Sequence, residues 1–151
     1  MNNELFDKEG KIPSAIIMDA INLVSSGIMV TDIDANIVWV NDFLCELTKY
    51  SHEELIGKNA SIFSNGDNPR KKYDKMWNIL LSKTSWMGKL TNKKKDGTIY
   101  RELSTISPIL SKKNIIIGYI GIQQDITVED NLRSKLVNKA EEMSKEINGK
   151  S

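Results

Sequence analysis

Residues 86–125 hold three β-rich runs in succession, and the two breaks between them constrain the fold more than any other feature of the chain. Asp96-Gly97 is a strong short hairpin signal, and "SKKN" at 111–114 is a second polar break, so strands over 86–95, 98–110 and 114–125 form a predicted meander. A shorter hairpin precedes it: "IMVTDIDANIVWVN" predicts strands over 28–33 and 37–40 around an Asp-Ala-Asn turn. The segments around and between these strands read as helices. "SAIIMDAINLV" places Ile16, Ile17, Ala20, Ile21 and Val24 at helical spacing, which predicts an amphipathic helix over 14–25. Asn41 is placed to cap a short helix running to about Tyr50, and Ser51 with Glu54 forms a capping box for a further turn ending at Gly57. In "SNGDNP", Asn68 is placed to cap and Pro69 to occupy the first position of a helix over 69–83, with Tyr73, Met76, Trp77 and Leu80 on its apolar stripe and Arg70, Lys71, Lys72 and Lys75 on a solvated face. After 125 the pattern turns helical again: Thr127 and Asp130 make a weak capping pair, and Leu132, Leu136, Ala140, Met143 and Ile147 trace a narrow apolar seam that departs from a strict heptad.

With 151 residues the chain fits one domain plus a helical extension. Its 21 basic and 20 acidic residues leave a net charge of +1, so no overall field points to nucleic acid or to an anionic membrane. One cysteine, Cys45, cannot form an internal bridge, and the first residues lack the apolar stretch of a signal peptide, so a reducing, cytoplasmic setting is expected. No apolar run approaches the roughly 20 residues of a membrane helix, and direct membrane contact is not expected.

Three stretches in this order, "GIMVTDIDANIVWVNDFLCELTKYSHEELIGKN", "WMGKLTNKKKDGTIYRELSTISPI" and "GYIGIQQDIT", resemble the PAS family of sensor domains over roughly residues 20–130. The resemblance implies an α+β fold, a five-stranded antiparallel sheet with short helices over one face and an interior pocket. It divides the chain into a polar segment 1–13, an amphipathic helix 14–26, the sensor domain 27–127 and a C-terminal signalling or coiled-coil helix 128–151. It also implies a sensory role in signal transduction, with the state of the pocket passed on through the flanking helices.

Strand alternation puts Trp86, Gly88, Leu90 and Asn92 on one face and Met87, Lys89, Thr91 and Lys93 on the other, while Lys93 to Lys95 sit at the solvated hairpin tip. Counting from Tyr119 puts Gly121 and Gln123 together on the inward face, with Gln124 outward. Asn92 and Gln123 stand where flavin-binding light sensors of the LOV type carry ring-binding amides. Where that pattern has its photoactive cysteine this chain has Ala60, and where it has a second ring-binding asparagine this chain has Glu102. The "W-x-G-x-x-x-N" run around Trp86 is more similar to the redox-sensing PAS domains that bind FAD without a cysteine. The resemblance therefore implies a flavin, FAD before FMN, with Trp86, Asn92, Gln123, Asn41 and Glu102 as candidate cofactor contacts.

Other chemistry finds little support in the residues. His52 is the only histidine and reads as a surface residue, and one Cys with one His cannot build a zinc or iron–sulfur site. No Ser-His-Asp set, Gly-rich phosphate loop or HExxH run is present; the adjacent glutamate pairs read as charged surface and Cys45 as a small buried hydrophobe, so an enzyme is not expected. Two readings stand: a flavin-binding sensor, or a cofactor-free dimerisation module with Trp39, Trp77 and Trp86 as core, a sensor of another small ligand being a variant of the first. In either, a homodimer is expected, held by the helix over 14–25 with its apolar stripe, by the sheet's outer face, or by both, and the C-terminal helix leads toward an effector.

Overall fold

The computed structural model describes residues 8–149, so residues 1–7 of the expected polar segment 1–13 lie outside the described residues. The elements follow the order α1 (Ser14–Leu23), β1 (Gly27–Thr31), β2 (Ile37–Val40), α2 (Asp42–Thr48), α3 (His52–Leu55), a 3-10 turn (Ala60–Phe63), α4 (Arg70–Leu81), β3 (Trp86–Lys93), β4 (Ile99–Leu110), β5 (Ile116–Asp125) and α5 (Thr127–Asn148). Sequence patterning located all of these except the 3-10 turn, which has no periodicity of its own.

The strands form one antiparallel sheet in the order β2-β1-β5-β4-β3. The meander keeps its sequence neighbours side by side, and the N-terminal hairpin closes onto the last strand, with Gly27 opposite Gln123 and Met29 opposite Gly121. Gly118 permits part of that closure: a Cβ there would stand 2.3 Å from the Thr31 carbonyl oxygen. Two apolar clusters cover the inner face. Met29, Ile37, Val40, Leu44, Leu55 and Phe63 form one beneath α2 and α3, and Met76, Leu80, Trp86, Leu90 and Tyr119 form the other beneath α4.

Three local readings need correction, each because a side chain found a tertiary partner. Asn68 does not cap α4; Pro69 occupies the cap position, and Asn68 bonds Thr91 twice, accepting from its N–H at 2.9 Å and donating to its carbonyl at 2.8 Å. This covers the free edge of β3, which would otherwise present unpaired backbone groups. Lys72 is drawn off the solvated face in the same way, donating to the Lys89 carbonyl, and burial lowers the pKa of its ammonium. Thr127 and Asp130 do not form a capping pair either. Thr127 Oγ1 accepts from the Arg101 N–H at 2.8 Å, and Asp130 accepts from Lys89 at 3.1 Å and from Arg101 Nε at 3.3 Å. The hairpin tip is likewise engaged: Lys95 pairs with Glu54 at 2.6 Å, and Lys94 lies 5.9 Å from the Tyr100 ring centroid.

Candidate functional site

Between the two apolar clusters lies a cavity of about 290 Å³, near the lower end of the range that holds small ligands. Its roof is Ala60, Ser61 and Phe63 of the 3-10 turn with Tyr73, Met76 and Trp77 of α4. Its floor is the inner face of the sheet, where Asn92 of β3, Glu102 and Ser104 of β4, and Gly121 and Gln123 of β5 reach the same space. Strand register brings these residues together. Ser104 stands opposite Gln123 and Leu90 opposite Glu102, so polar groups from three strands converge on one end of an otherwise apolar wall.

The convergence leaves hydrogen-bonding capacity unused. Tyr100 and Glu102 are each 1% exposed and Gln123 is 4% exposed, yet Glu102 Oε2 and Gln123 Oε1 make no hydrogen bond, and the Tyr100 hydroxyl makes none of good geometry although Asn92 and Glu102 are its neighbours. Buried orphans of this kind cost roughly 1–3 kcal/mol each, and two of the three belong to side chains that line the cavity, Glu102 and Gln123. Burial pushes the Glu102 carboxyl up to about 8, with Asp125 adding to the shift; the Asn92 amide and the Tyr100 hydroxyl beside it oppose the rise. The Tyr100 hydroxyl is raised as well, by burial first and by Glu102 second.

Of the five candidate contacts, Asn92, Gln123 and Glu102 line the cavity, and strand alternation oriented them as expected. Trp86 does not. It lies on the predicted face but is consumed by the second apolar cluster, where its ring covers Gly88 so closely that a Cβ there would stand 2.4 Å from it. Asn41 lies away from the cavity lining too: its Oδ1 accepts from the Ile28 and Leu44 N–H groups, and its Nδ2 donates to the Ser26 and Ile21 carbonyls. The aromatic surfaces at the cavity come from Tyr73 and Trp77. Trp77 is held edge-on to Tyr119 at 5.3 Å, and the Tyr73 hydroxyl accepts from Asn68 at 2.9 Å. Their helical spacing of four on the α4 stripe was the only signal for this pair, and it could not separate a cavity wall from plain core. Ser104 was missed because a serine in a strand carries no signal by itself.

Ala60 lines the cavity, and Cys45 stands elsewhere, on α2. Asp42, Cys45 and His52 meet there, with Cys45 Sγ 3.5 Å from His52 Nδ1 and His52 Nε2 3.2 Å from Asp42 Oδ1. The Ser51 capping box brings His52 over α2, which sequence separation hid. The thiol is held above its usual pKa by burial first, then by Asp42 and Glu46, so this set lacks an activated nucleophile. Among the described residues no group of three or more His, Cys, Asp or Glu side chains could hold a metal ion, and no helix is long and apolar enough to cross a membrane.

The chain is 34% identical over 114 residues to a nitrogen fixation regulatory protein of Klebsiella oxytoca, a match covering 76% of this chain and 23% of that protein. It is 32% identical over 124 residues to a blue-light photoreceptor of Listeria innocua, covering 80% of this chain and 49% of that one. The chain thus spans half or less of the length of these relatives. In fold it matches an RNA-binding light-oxygen-voltage receptor with a TM-score of 0.77 at 23% identity, over 87% of this chain and 39% of that one. The sequence model of the PAS domain matches residues 25–128 and, with the sheet order and the helix-covered inner face, shows that this chain belongs to the PAS family.

Proposed function

We propose that this PAS domain is a sensory module that binds a flavin, FAD before FMN, in the cavity between α4 and the sheet, and relays its redox state through α5. The observation that carries the reading is the pair of orphaned polar atoms on cavity-lining side chains, Glu102 Oε2 and Gln123 Oε1. A flat ring with N–H and C=O groups along one edge supplies the partners they lack, and the Tyr73 and Trp77 side chains offer it aromatic surface. Ala60 at the cavity wall supports redox sensing over thiol photochemistry, since the sulfur atoms among the lining residues are the thioethers of Met29 and Met76, and the one thiol, Cys45, stands on α2. Regulatory and photoreceptor relatives support a role in signal transduction. The single cysteine suits a cytoplasmic setting.

The test is the absorption spectrum of the purified chain, alone and after addition of FAD or FMN, with identification of any ring released on denaturation. Gly121 provides the control. A Cβ there would meet nothing closer than Met29 Cε at 3.8 Å, so Gly121→Leu projects into the cavity without striking backbone. The variant is expected to keep its circular dichroism spectrum and lose flavin binding at least tenfold. Unchanged binding would place the flavin elsewhere, and a wild-type chain that binds neither flavin would favour the cofactor-free dimerisation module, a reading that the exposed apolar residues of α1 also support.

A further inference from the structure

We propose that Glu102 enters the cavity as an uncharged carboxylic acid and makes the cavity a proton-linked site, admitting a planar ring with an imide or lactam edge and releasing it when the acid ionises. The inference deepens the flavin reading and rests on it for the choice of probe.

The first support is the absence of any cation. Among the described residues Glu102 is the one carboxylate that lines the cavity, and no Lys, Arg or His lines it. Arg101 is adjacent in sequence but projects from the other face of β4, where Thr91 and Asp130 engage it. Lys94 lies over the Tyr100 ring. The groups that face the carboxyl from the packed elements are Asn92 of β3, Tyr100 of β4, and Gln123 and Asp125 of β5; α4 contributes Tyr73, whose hydroxyl is taken by Asn68, and the 3-10 turn contributes no titratable group. A carboxylate 1% exposed with no counter-ion, and with Asp125 as its strand partner, is unstable relative to the acid. The upward shift of the carboxyl to about 8 agrees with that placement.

The second support is a count of donors and acceptors. The unsatisfied atoms include an acceptor of Gln123 and an oxygen of Glu102. A protonated carboxyl carries one O–H donor and keeps acceptor capacity, as an amide does, so Asn92, Glu102 and Gln123 together offer both kinds of group to a ring edge that alternates C=O and N–H. An ionised carboxyl only accepts. Where the acid's O–H would donate to a ring carbonyl, ionisation removes that hydrogen bond and leaves a buried charge without a counter-ion, so for that contact ionisation opposes binding.

The experiment titrates FAD and FMN into the chain by fluorescence at about pH 6 and about pH 9, for wild type and for Glu102→Gln, which keeps the shape and the donor and cannot ionise. Wild type is expected to bind roughly tenfold more weakly at the higher pH, as linkage to a group titrating near 8 requires, while the variant binds equally at both. The infrared C=O band of a protonated carboxyl is recorded in parallel on the ligand-free proteins; it is expected in wild type near neutral pH and absent from the variant. Flavin binding with the same pH profile in both proteins would overturn the proton linkage and leave the flavin reading intact. Should neither flavin bind at any pH, the flavin reading falls, and the infrared band alone decides: its presence upholds the neutral acid in the cavity, and its absence overturns it.

Discussion

Glu102, Gln123 and Tyr100 are buried polar side chains for which the chain supplies no full set of partners, and Glu102 links that deficit to pH. In the unfolded chain its carboxyl titrates near 4.5, whereas the folded value is pushed up to about 8 by burial. Below the lower value the group is neutral in both states. Above it the unfolded chain releases a proton that the folded chain holds, so the stability present at low pH is lost progressively as pH rises toward the folded value. The melting temperature of the ligand-free chain is therefore expected to carry a component that falls between about pH 5 and about pH 8, and Glu102→Gln is expected to remove that component. Melting curves of the two proteins across this range check it; parallel curves would mean that Glu102 is not the buried acid. Asn41 shows the opposite condition, since its side chain bonds the backbone of α1, of Ser26 between α1 and β1, of β1 and of α2, and it does not line the cavity.

At the scale of elements, the decisive joint is between β4 and the start of α5. Arg101 and Glu102 are consecutive on β4 and point to opposite faces, one toward α5 and the other into the cavity. The Arg101 backbone receives the chain as it leaves β5: its N–H donates to Thr127 Oγ1 at 2.8 Å and its carbonyl accepts from Ile126 at 2.9 Å. Its side chain and Lys89 then hold Asp130 in the first turn of α5, at 3.3 and 3.1 Å, and these contacts keep the Asp130 carboxyl below its usual pKa, Lys89 contributing most. Glu102 is thus the immediate chain neighbour of the residue that anchors the helix. Asp130→Ala is expected to speed amide hydrogen exchange in the first two turns of α5 while the amides of β4 and β5 keep their protection. Exchange read by mass spectrometry checks this, and an unchanged α5 would show that the Thr127 and Ile126 bonds suffice as the anchor.

For the whole molecule, the unburied apolar surface is the governing fact. α1 has no buried residue, and Ile16, Ile17 and Val24 are exposed, as are Val38, Ile117 and Ile122 on the outer face of the sheet and Leu132, Leu136 and Met143 on α5. Such surface is larger than a lone helix keeps in water, so two-fold pairing that covers α1 and aligns two α5 helices is the expected assembly. In sedimentation the wild type is expected to be a dimer at tens of micromolar, and Ile16→Asp with Ile17→Asp, both on solvent-facing positions of α1, a monomer of unchanged circular dichroism. A dimer indifferent to both charges would move the interface to the sheet face or α5.

What the sequence determined by itself was local: a strand places alternate residues on opposite faces, so the inward phase of Asn92 and Gln123 followed from counting, and the Ser51–Glu54 capping box and the Asn41 cap followed from spacing. Helical and strand periods, with Asp96-Gly97 at the turn, likewise located the elements to within a few residues. Only the tertiary structure decided which inward residue meets empty space and which meets core. Trp86 and Asn92 share a phase on β3, yet the α4 side chains Met76 and Leu80 pack on Trp86, while the cavity opens at Asn92. Tertiary contacts also turned Asn68 from a cap into a strand-edge clasp and Asp130 from a cap partner into the anchor of α5. The physical reason is that periodicity fixes a direction relative to the local backbone, whereas burial, an orphaned oxygen or a shifted carboxyl depends on how far away the next element stands. That distance is set by side chains scores of residues apart, acting together.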